Sequence, residues 1–262
     1  MRTVGRRRFA SMWFMGLMAF VVAPFVAVPV HAQDYRVLVA APDRSAADRE
    51  NDKRRDPIGM LNFIQPRAGM KILDMGAGAG YSTELMARAA GLTGMVYGQN
   101  PPDQFEKARQ AFDERAKSPA MKNAIQDVRP FDDPVPPGVR DLDMVTFLFF
   151  YHDTTYLPVD RALMNKRLFD ALKPGGILAI ADYSARPGDD VSSGKSLHRI
   201  DENVVKREVE ATGFKLVAEG DFLRHPEDKR DTPSSRAPMP VDEFILRFEK
   251  PRLILQSRRS RV

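Results

Sequence analysis

The fold of this chain is decided by one stretch, Ile72-Leu73-Asp74-Met75-Gly76-Ala77-Gly78-Ala79-Gly80. Its apolar start predicts a short buried strand over residues 71–75, and its alternating glycines predict a tight loop directly afterwards. Residues 82–90 place apolar side chains on one helical face, so a helix is expected next. A glycine loop between a strand and a helix lets a ligand approach the backbone, because glycine has no Cβ.

Strands and helices alternate through the rest of the sequence. Further strands are predicted over residues 94–97, 124–128, 142–150, 177–181, 214–218 and 243–248. Such alternation is typical of a parallel sheet with right-handed crossovers. No helix is predicted between the last two strands, so the last strand should run antiparallel. The predicted fold class is α/β: a Rossmann-like, mostly parallel seven-stranded sheet flanked by helices.

The first 32 residues differ from the rest of the chain. They begin with basic residues, continue with a mostly apolar run over residues 12–30, and end on Val30-His31-Ala32, a plausible cleavage site. This layout predicts a secretory signal peptide over residues 1–32, with an uncut membrane anchor as the alternative. Arg6-Arg7-Arg8-Phe9 also resembles the twin-arginine export motif, which carries folded proteins. We therefore expect an exported, periplasmic protein without a stable membrane anchor after cleavage.

The charge of the chain depends mainly on that first segment. Lys and Arg number 40 in the whole chain but 36 without the first 32 residues, against 35 Asp and Glu, so the remainder is near +1. This balance gives no indication of nucleic-acid binding, and a small molecule is the expected partner. The chain has no cysteine, which excludes disulfides, thiolate catalysis and thiolate zinc sites.

Three further parts follow the predicted signal peptide. Residues 33–57 are polar and charge-rich, and they predict a helical extension packed over the domain edge. Residues 58–251 carry the alternating strands and helices and form the predicted main domain. Residues 252–262 are a basic tail, which is more typical of a solvated terminus than of a binding surface.

Two long loops are expected at the carboxyl-terminal edge of the sheet, where ligands bind in such folds. They cover residues 182–198 and 223–240, and together they could form a lid. His198 and Arg199 are predicted to begin a helix and to serve a salt link or lid closure rather than catalysis. Asp201 is predicted to cap a helix that ends at Gly213.

Two segments resemble the class I S-adenosylmethionine-dependent methyltransferases. Residues 72–84 look like the first motif of that family, and Leu172-Lys173-Pro174-Gly175-Gly176-Ile177-Leu178 looks like the turn into its fifth strand. A closer likeness, to an uncharacterised group of bacterial, exported methyltransferases, is carried by residues 151–153, 196–201 and 205–214. The resemblance spans residues 48–251 and implies S-adenosylmethionine as the cofactor and methyl transfer as the reaction.

The resemblance also implies how the cofactor would be held. Asp74 would lie near the methionine amino group, and the backbone of residues 76–80 would approach the cofactor. The second strand of such enzymes ends in an acid that binds the ribose hydroxyls, but here Asn100 stands there without a charge. An acid near the adenine would be Asp132 or its neighbour Asp133. The implied cofactor-binding residues are Asp74, Gly76, Ala77, Gly78, Gly80, Tyr81, Gln99, Asn100 and Asp132.

Candidates for the transfer step follow the fourth predicted strand as Tyr151-His152-Asp153. A hydroxyl or protonated amine needs a base before it accepts a methyl group, and His152 is the histidine at the expected edge. Asp153 could orient His152 or contact the substrate, and Tyr151 could be a substrate wall or core. Alternatively, His152 and Asp153 cap the following turn. His152 and His198 show no defined ligand spacing, so no metal site is predicted.

Three functions remain open at this point. The leading hypothesis is methyl transfer to a small-molecule acceptor. The second is an exported module that binds an S-adenosyl ligand without catalysis, which Asn100 and the predicted export favour, because the cofactor is made in the cytoplasm. The third is a related transferase that uses another sulfonium donor.

Overall fold

The computed structural model describes residues 33–102, 106–237 and 240–252. The predicted signal peptide, and all of the basic tail except its first residue, lie outside the described residues. Within these described ranges, no helix is both long enough and apolar enough to cross a membrane.

Seven strands form one mixed sheet. They are β1 (Lys71–Met75), β2 (Met95–Asn100), β3 (Ala124–Val128), β4 (Leu142–Leu148), β5 (Leu172–Tyr183), β6 (Lys215–Gly220) and β7 (Glu243–Glu249). Their spatial order is β3-β2-β1-β4-β5-β7-β6. The first five pair in parallel, and β7 is antiparallel to both of its neighbours, β5 and β6. The predicted fold class is confirmed, including the antiparallel last strand.

Helices cover both faces of the sheet. They are α1 (Tyr35–Val39), α2 (Ala46–Arg55), α3 (Pro57–Ile64), α4 (Tyr81–Ala90), α5 (Glu106–Ala116), α6 (Arg161–Ala171), α7 (Ser193–Leu197) and α8 (Glu202–Ala211). The predicted cap of α8 is confirmed, because the Asp201 carboxylate accepts a hydrogen bond from the backbone N–H of Asn203. The prediction that a helix begins at His198 is wrong. His198 ends α7 instead, in a left-handed conformation with φ of 50°.

The core lies on both sides of the sheet. Neighbouring residues of β4 fall into opposite clusters, with Val145 packed on one face and Met144 on the other. The same division separates Leu178 from Ala179 in β5. Side chains alternate between the faces of a strand, so a strand covered on both sides reads as a continuous apolar run. Burial of each large apolar side chain stabilises the fold by about 1.5–3 kcal/mol.

Strand boundaries differ from the prediction where polar residues join the sheet. β2 extends to Asn100, because Gln99 and Asn100 pair with Asp127 and Val128 of β3. β4 stops at Leu148 rather than at residue 150, since Phe149 takes a positive φ of 63° that ends the extended backbone.

β5 also begins earlier than expected. The predicted turn over residues 173–176 is part of the strand, although the register with β4 shifts there. The backbone N–H of Gly175 donates to the carbonyl of Lys250, just beyond β7. The turn residues therefore find partners at the end of the last strand, which no local pattern indicates.

Arg199 joins the two long loops at the edge of the sheet. Its side chain is fully buried. It donates hydrogen bonds to the carboxylate of Asp228, at 2.8 Å, and to the carbonyls of Ser184 and Thr232, both at 3.0 Å. The loop after β5 and the loop after β6 are thus fastened together, which agrees with the predicted structural salt link.

Candidate active site

The glycine loop lies at the carboxyl end of β1, where the fold is expected to bind a ligand. Gly76 and Gly78 both have positive φ, at 61° and 55°. A Cβ on Gly76 would lie 2.9 Å from the ring of Phe150, so this glycine is needed for packing against the segment after β4. A Cβ on Gly78 would meet only a backbone oxygen at 4.0 Å. Gly78 therefore presents open backbone that suits a closely bound ligand.

Two amide side chains from the end of β2 hold this loop. The N–H of Gly76 donates to Gln99 Oε1 at 3.0 Å, and the N–H of Gly78 donates to Asn100 Oδ1 at 2.8 Å. Asn100 Nδ2 donates in turn to the carbonyl of Gly78 at 3.0 Å. Asn100 is buried, with its amide directed at the loop. Asn100 therefore positions the loop, and its predicted contact with the ribose stays a prediction.

Asp74 is also directed inwards. Its carboxylate is fully buried and accepts hydrogen bonds from the hydroxyls of Ser82, Thr83 and Thr146, at 2.6–2.7 Å. Burial raises the pKa of Asp74, and these hydroxyls oppose that rise. Asp74 thus ties β1 to the start of α4 and to β4. A direct contact with an ammonium group would require the surroundings of Asp74 to open, because its carboxylate is fully buried.

A cavity of about 210 Å³ lies against the glycine loop. Its walls include Arg55, Gly76, Ala77, Tyr81, Ser82, Phe149 and Phe150. The Tyr81 hydroxyl donates to Asp52 Oδ1 at 2.7 Å, and Asp52 pairs with Arg44. The N-terminal extension thus covers the cavity, so it belongs to the site and does more than pack at an edge.

Arg55 is a site residue that the sequence analysis missed. Its guanidinium carbon lies 3.6 Å from the ring centre of Phe149, and one guanidinium nitrogen is buried without a hydrogen-bond partner among the described residues. Leaving such a donor unpaired is costly, whereas a bound anion would satisfy it. The position could not be singled out, because Arg55 stands in a run of charged residues that all look alike in sequence.

The predicted adenine-side residue, Asp132, lies on the loop after β3. It is half-buried and makes no hydrogen bond or ion pair within the described part of the chain. Its neighbour Asp133 pairs with Arg129, and its other neighbour, Phe131, packs against Phe150 with ring centres 5.7 Å apart. Because Phe150 lines the cavity, the loop that carries Asp132 contacts the site through Phe131, and the adenine contact of Asp132 stays a prediction.

A second group of polar side chains surrounds His152, in a 3-10 helical turn after β4. His152 Nδ1 lies 2.7 Å from Asp182 Oδ1, and the backbone N–H of His152 donates to Asp182 Oδ2 at 2.7 Å. Burial lowers the pKa of His152, but the carboxylates of Asp182 and Asp153 outweigh burial and raise it. The residue that orients the His152 ring is thus Asp182, at the end of β5, and not Asp153.

Asp153 and His198 lie on the other side of the same ring. Asp153 Oδ2 is 3.4 Å from His152 Nε2, and Asp153 Oδ1 is 3.7 Å from His198 Nδ1. The Tyr156 hydroxyl donates to Asp153. The turn begins at Phe150 without a side-chain cap, so the alternative that His152 and Asp153 cap it is wrong. No shared metal site is predicted from the sequence for His152 and His198, and the structure places their ring centres 5.5 Å apart.

Tyr151 belongs to the core rather than to a substrate wall. It is fully buried, and its hydroxyl donates to Glu208 at 2.8 Å and accepts from Asn165 at 2.9 Å. The expectation of a catalytic or wall position is corrected, because the turn after β4 points Tyr151 towards α6 and α8. A groove of about 700 Å³ between those helices includes Glu208 and no residue of the glycine loop.

One aromatic side chain, Tyr183, lies between the cavity and the His152 group. Its ring centre is 5.3 Å from that of Phe149 and 5.9 Å from that of His152. Glu243 pairs with Tyr183 across the sheet and is buried. Burial raises the pKa of Glu243 to about 8, against the opposing charges of Arg55 and Arg54. Glu243 is a second residue that the sequence analysis missed.

Comparisons with solved structures agree with the fold described above. The fold is similar to a methyltransferase dependent on S-adenosylmethionine from Aquifex aeolicus, with a TM-score of 0.56 and 18% identity over 76% of this chain and 92% of that one. It is similar to a second methyltransferase dependent on S-adenosylmethionine, from Methanosarcina mazei, with a TM-score of 0.53 and 18% identity over 75% of this chain and 98% of that one. It also resembles the cyclase SpnF, with a TM-score of 0.56 and 16% identity over 79% of this chain and 82% of that one.

Searches of family models and of curated proteins found no match to this sequence. At such low identities the structural likeness shows the fold alone. The chain has the Rossmann-like fold of the methyltransferases that depend on S-adenosylmethionine.

Proposed function

We propose that this protein transfers a methyl group from S-adenosylmethionine to a small-molecule acceptor. The observation that best supports the proposal is that the glycine loop, through Gly76 and Ala77, and Arg55 form two walls of one cavity at the carboxyl end of β1, where one guanidinium nitrogen of Arg55 is buried without a hydrogen-bond partner among the described residues. A cofactor with an amino-acid end and an adenosyl end would use both walls. The fold, which methyltransferases of this kind share, supports the same proposal.

The residues around the cavity fit this cofactor. Arg55 would bind its carboxylate, the backbone of residues 76–80 would lie beside it, and Asp132 would approach the adenine. The cavity of about 210 Å³ is smaller than the roughly 300–1,000 Å³ of typical ligand sites. Binding would therefore move α2 outwards, which means breaking the hydrogen bond between Tyr81 and Asp52.

The remaining task of the chain is to prepare the acceptor. The bound cofactor supplies a methyl group activated by its positively charged sulfur. The protein must hold the acceptor in line with that group and remove a proton from a hydroxyl or ammonium nucleophile. We assign this proton to His152 Nε2, because Asp182 holds the opposite ring nitrogen and stabilises the imidazolium that forms. Tyr183 would line the path between the cavity and His152.

We further propose that the protein works outside the cytoplasm of a bacterium. The basic, apolar and small-residue layout of residues 1–32 supports a cleaved signal peptide. If Arg6-Arg7 direct twin-arginine export, the chain would fold before it leaves and would be able to carry its cofactor with it. Replacing both arginines with lysine should then stop export, and continued export would contradict this route.

A second candidate is a binding module without methyl transfer, or a transferase with another sulfonium donor. Asn100 supports it, because its amide is engaged with Gly78 and carries no charge for the ribose. The likeness to SpnF, named as a cyclase, is also a reminder that a fold does not determine a reaction.

Two measurements test the proposal. Mass spectrometry of protein purified without added ligand should detect an S-adenosyl compound, and calorimetry should detect binding of the cofactor. Gly78→Ala should weaken binding, because the added methyl group would occupy the open space beside the backbone of the loop. Gly138→Ala is the matched control, since Gly138 also has a positive φ, of 78°, with nothing nearby. The absence of any binding at millimolar cofactor would defeat both the enzyme and the binding-module proposals.

A further inference from the structure

We propose that His152, Asp153 and His198 form a binding site for a divalent transition-metal ion. Each side chain offers one ligand atom, and these atoms all lie within 4.8 Å of one another. His152 and Asp153 are buried, whereas the side chain of His198 is 43% exposed. A buried imidazole and a buried carboxylate therefore converge on a point that solvent reaches from the side of His198.

The spacing of these atoms suits a metal ion. Bonds of about 2.0–2.1 Å in tetrahedral geometry separate neighbouring ligand atoms by roughly 3.3–3.4 Å. The observed separations are 3.4 Å between His152 Nε2 and Asp153 Oδ2, and 3.7 Å between His198 Nδ1 and Asp153 Oδ1. The two oxygens of Asp153 thus each lie near one imidazole nitrogen, and small side-chain shifts would bring both nitrogens and one carboxylate oxygen into the first coordination shell.

Asp182 prepares His152 for this role. It lies 2.7 Å from Nδ1, so a proton on Nδ1 would be shared with the carboxylate, and the lone pair of Nε2 would face Asp153 and His198. Imidazole ligands of metal ions commonly donate their other ring N–H to a carboxylate in this way. The arrangement is therefore a metal-binding histidine with its supporting carboxylate already in place.

The fold brings His198 to the site by a close helix contact. A Cβ on Gly194, in α7, would lie 2.0 Å from Thr155 Oγ1, so only glycine allows α7 to approach the turn that carries His152. His198 then ends α7 at a φ of 50°. This conformation is strained for residues other than glycine. It persists where the surrounding structure imposes it, which is often at functional sites.

The ligand set indicates the class of metal. Two imidazoles and one carboxylate suit zinc and its first-row neighbours, whereas magnesium and calcium prefer oxygen ligands alone. Three protein ligands leave a coordination position for water or a substrate atom. An ion would occupy the nitrogen that we assign to proton transfer, so the metal-loaded and metal-free forms would differ in that step. This inference does not depend on methyl transfer.

The test is zinc binding by the full chain, purified without a polyhistidine tag and stripped with a chelator. Equilibrium dialysis against zinc chloride, with metal analysis, should find one zinc ion per chain. Cobalt should give the absorption bands of a tetrahedral site. His198→Ala should lower zinc affinity at least tenfold, and Asp182→Asn about 10–100-fold. His225→Ala is the matched control and should change nothing, because His225 pairs with Glu227 outside the cluster.

Two outcomes would overturn the site. One is a wild-type chain that binds no zinc in excess metal, and the other is equal zinc affinity in the wild type and in His198→Ala. The partly exposed position of His198 lets this variant keep the fold, which urea unfolding would verify. Because the titration contains no cofactor, a negative result leaves the proposed methyl transfer untouched, and a failure of cofactor binding leaves the metal site untouched.

Discussion

The glycine loop and the His152 group lie on either side of Tyr183, but they are held in different ways. Amides and hydroxyls hold the loop: Gln99 and Asn100 bind its backbone, and three hydroxyls bind Asp74. Titratable groups hold His152, because Asp182 and Asp153 contact its two ring nitrogens. The contacts of the loop favour a single shape, whereas the charged groups around His152 suit the proton transfer and the cation binding proposed above.

The largest expected effect separates these two tasks. His152→Ala should lower methyl transfer about 10²–10⁴-fold, the usual contribution of a general base, and should leave cofactor affinity intact. Turnover would be followed with cofactor labelled in its methyl group, and affinity by calorimetry. His225→Ala is the control. Loss of cofactor binding with unchanged turnover would contradict the assignment.

The next effect concerns the shape of the loop. Gly76→Ala should destabilise the fold by about 2–4 kcal/mol, because it adds left-handed strain and overlap with Phe150. Gly138→Ala also carries the strain of a positive φ, of 78°, but its added methyl group meets nothing within 4 Å. Its cost should therefore be only about 1–2 kcal/mol. Equal losses in urea unfolding would show that packing against Phe150 does not matter.

Arg55 tests whether the cavity recognises an anion. Arg55→Met should keep the contact with Phe149 but lower cofactor affinity about 10–100-fold, the value of a charge-assisted hydrogen bond. Arg54→Met removes an exposed neighbouring charge and is the matched control. Equal affinities of the two variants in calorimetry would remove Arg55 from the binding site.

Glu243 gives a pH dependence of the opposite sign to that of most carboxylates. Its pKa is raised to about 8 in the folded chain, so between the unfolded value and 8 only the folded state holds this proton. Its contribution to stability is present at low pH and is lost as the pH rises towards 8. The free energy of unfolding of Glu243→Gln, relative to that of the wild type, should therefore rise by about 1–3 kcal/mol between pH 5 and pH 9. The measurement is urea unfolding of both proteins across that range. If their free energies of unfolding change with pH in parallel, the prediction is wrong.

The smallest effect returns to the loop. Asn100→Asp should raise cofactor affinity about 3–10-fold, because a charged acceptor binds ribose hydroxyls more strongly than an amide. It should also cost about 1 kcal/mol of stability, because the donor to the Gly78 carbonyl is lost. If affinity falls in calorimetry, Asn100 acts only by holding the loop.

The sequence predicts most of the fold because the fold depends on local patterns. Glycine spacing, apolar runs and the Asp201 cap all act within a few residues, and each is found where it was expected. The prediction fails at strand ends. Residues 173–176, for example, complete their hydrogen bonds with Lys250. Such a partner is distant along the chain and leaves no local signal.

The site was predicted only in part for the same reason. The glycine loop and His152 stand in recognisable positions after strands. Asp182 is 30 residues from His152, and Arg55 reaches the cavity from a separate helix, so only the folded chain brings them in. The inward direction of Asp74 and Asn100 was also hidden, because a sequence does not tell whether a polar side chain faces a ligand or its own backbone.

The position of β7 between β5 and β6 has a consequence for synthesis. β6 leaves the ribosome before β7, yet it can join the sheet only through β7. Until Glu243–Glu249 is made, β5 is an open edge of a buried sheet, the kind of edge on which unfinished chains associate. A chain that stops short of β7 would therefore leave both the edge of β5 and the whole of β6 without a partner in the sheet.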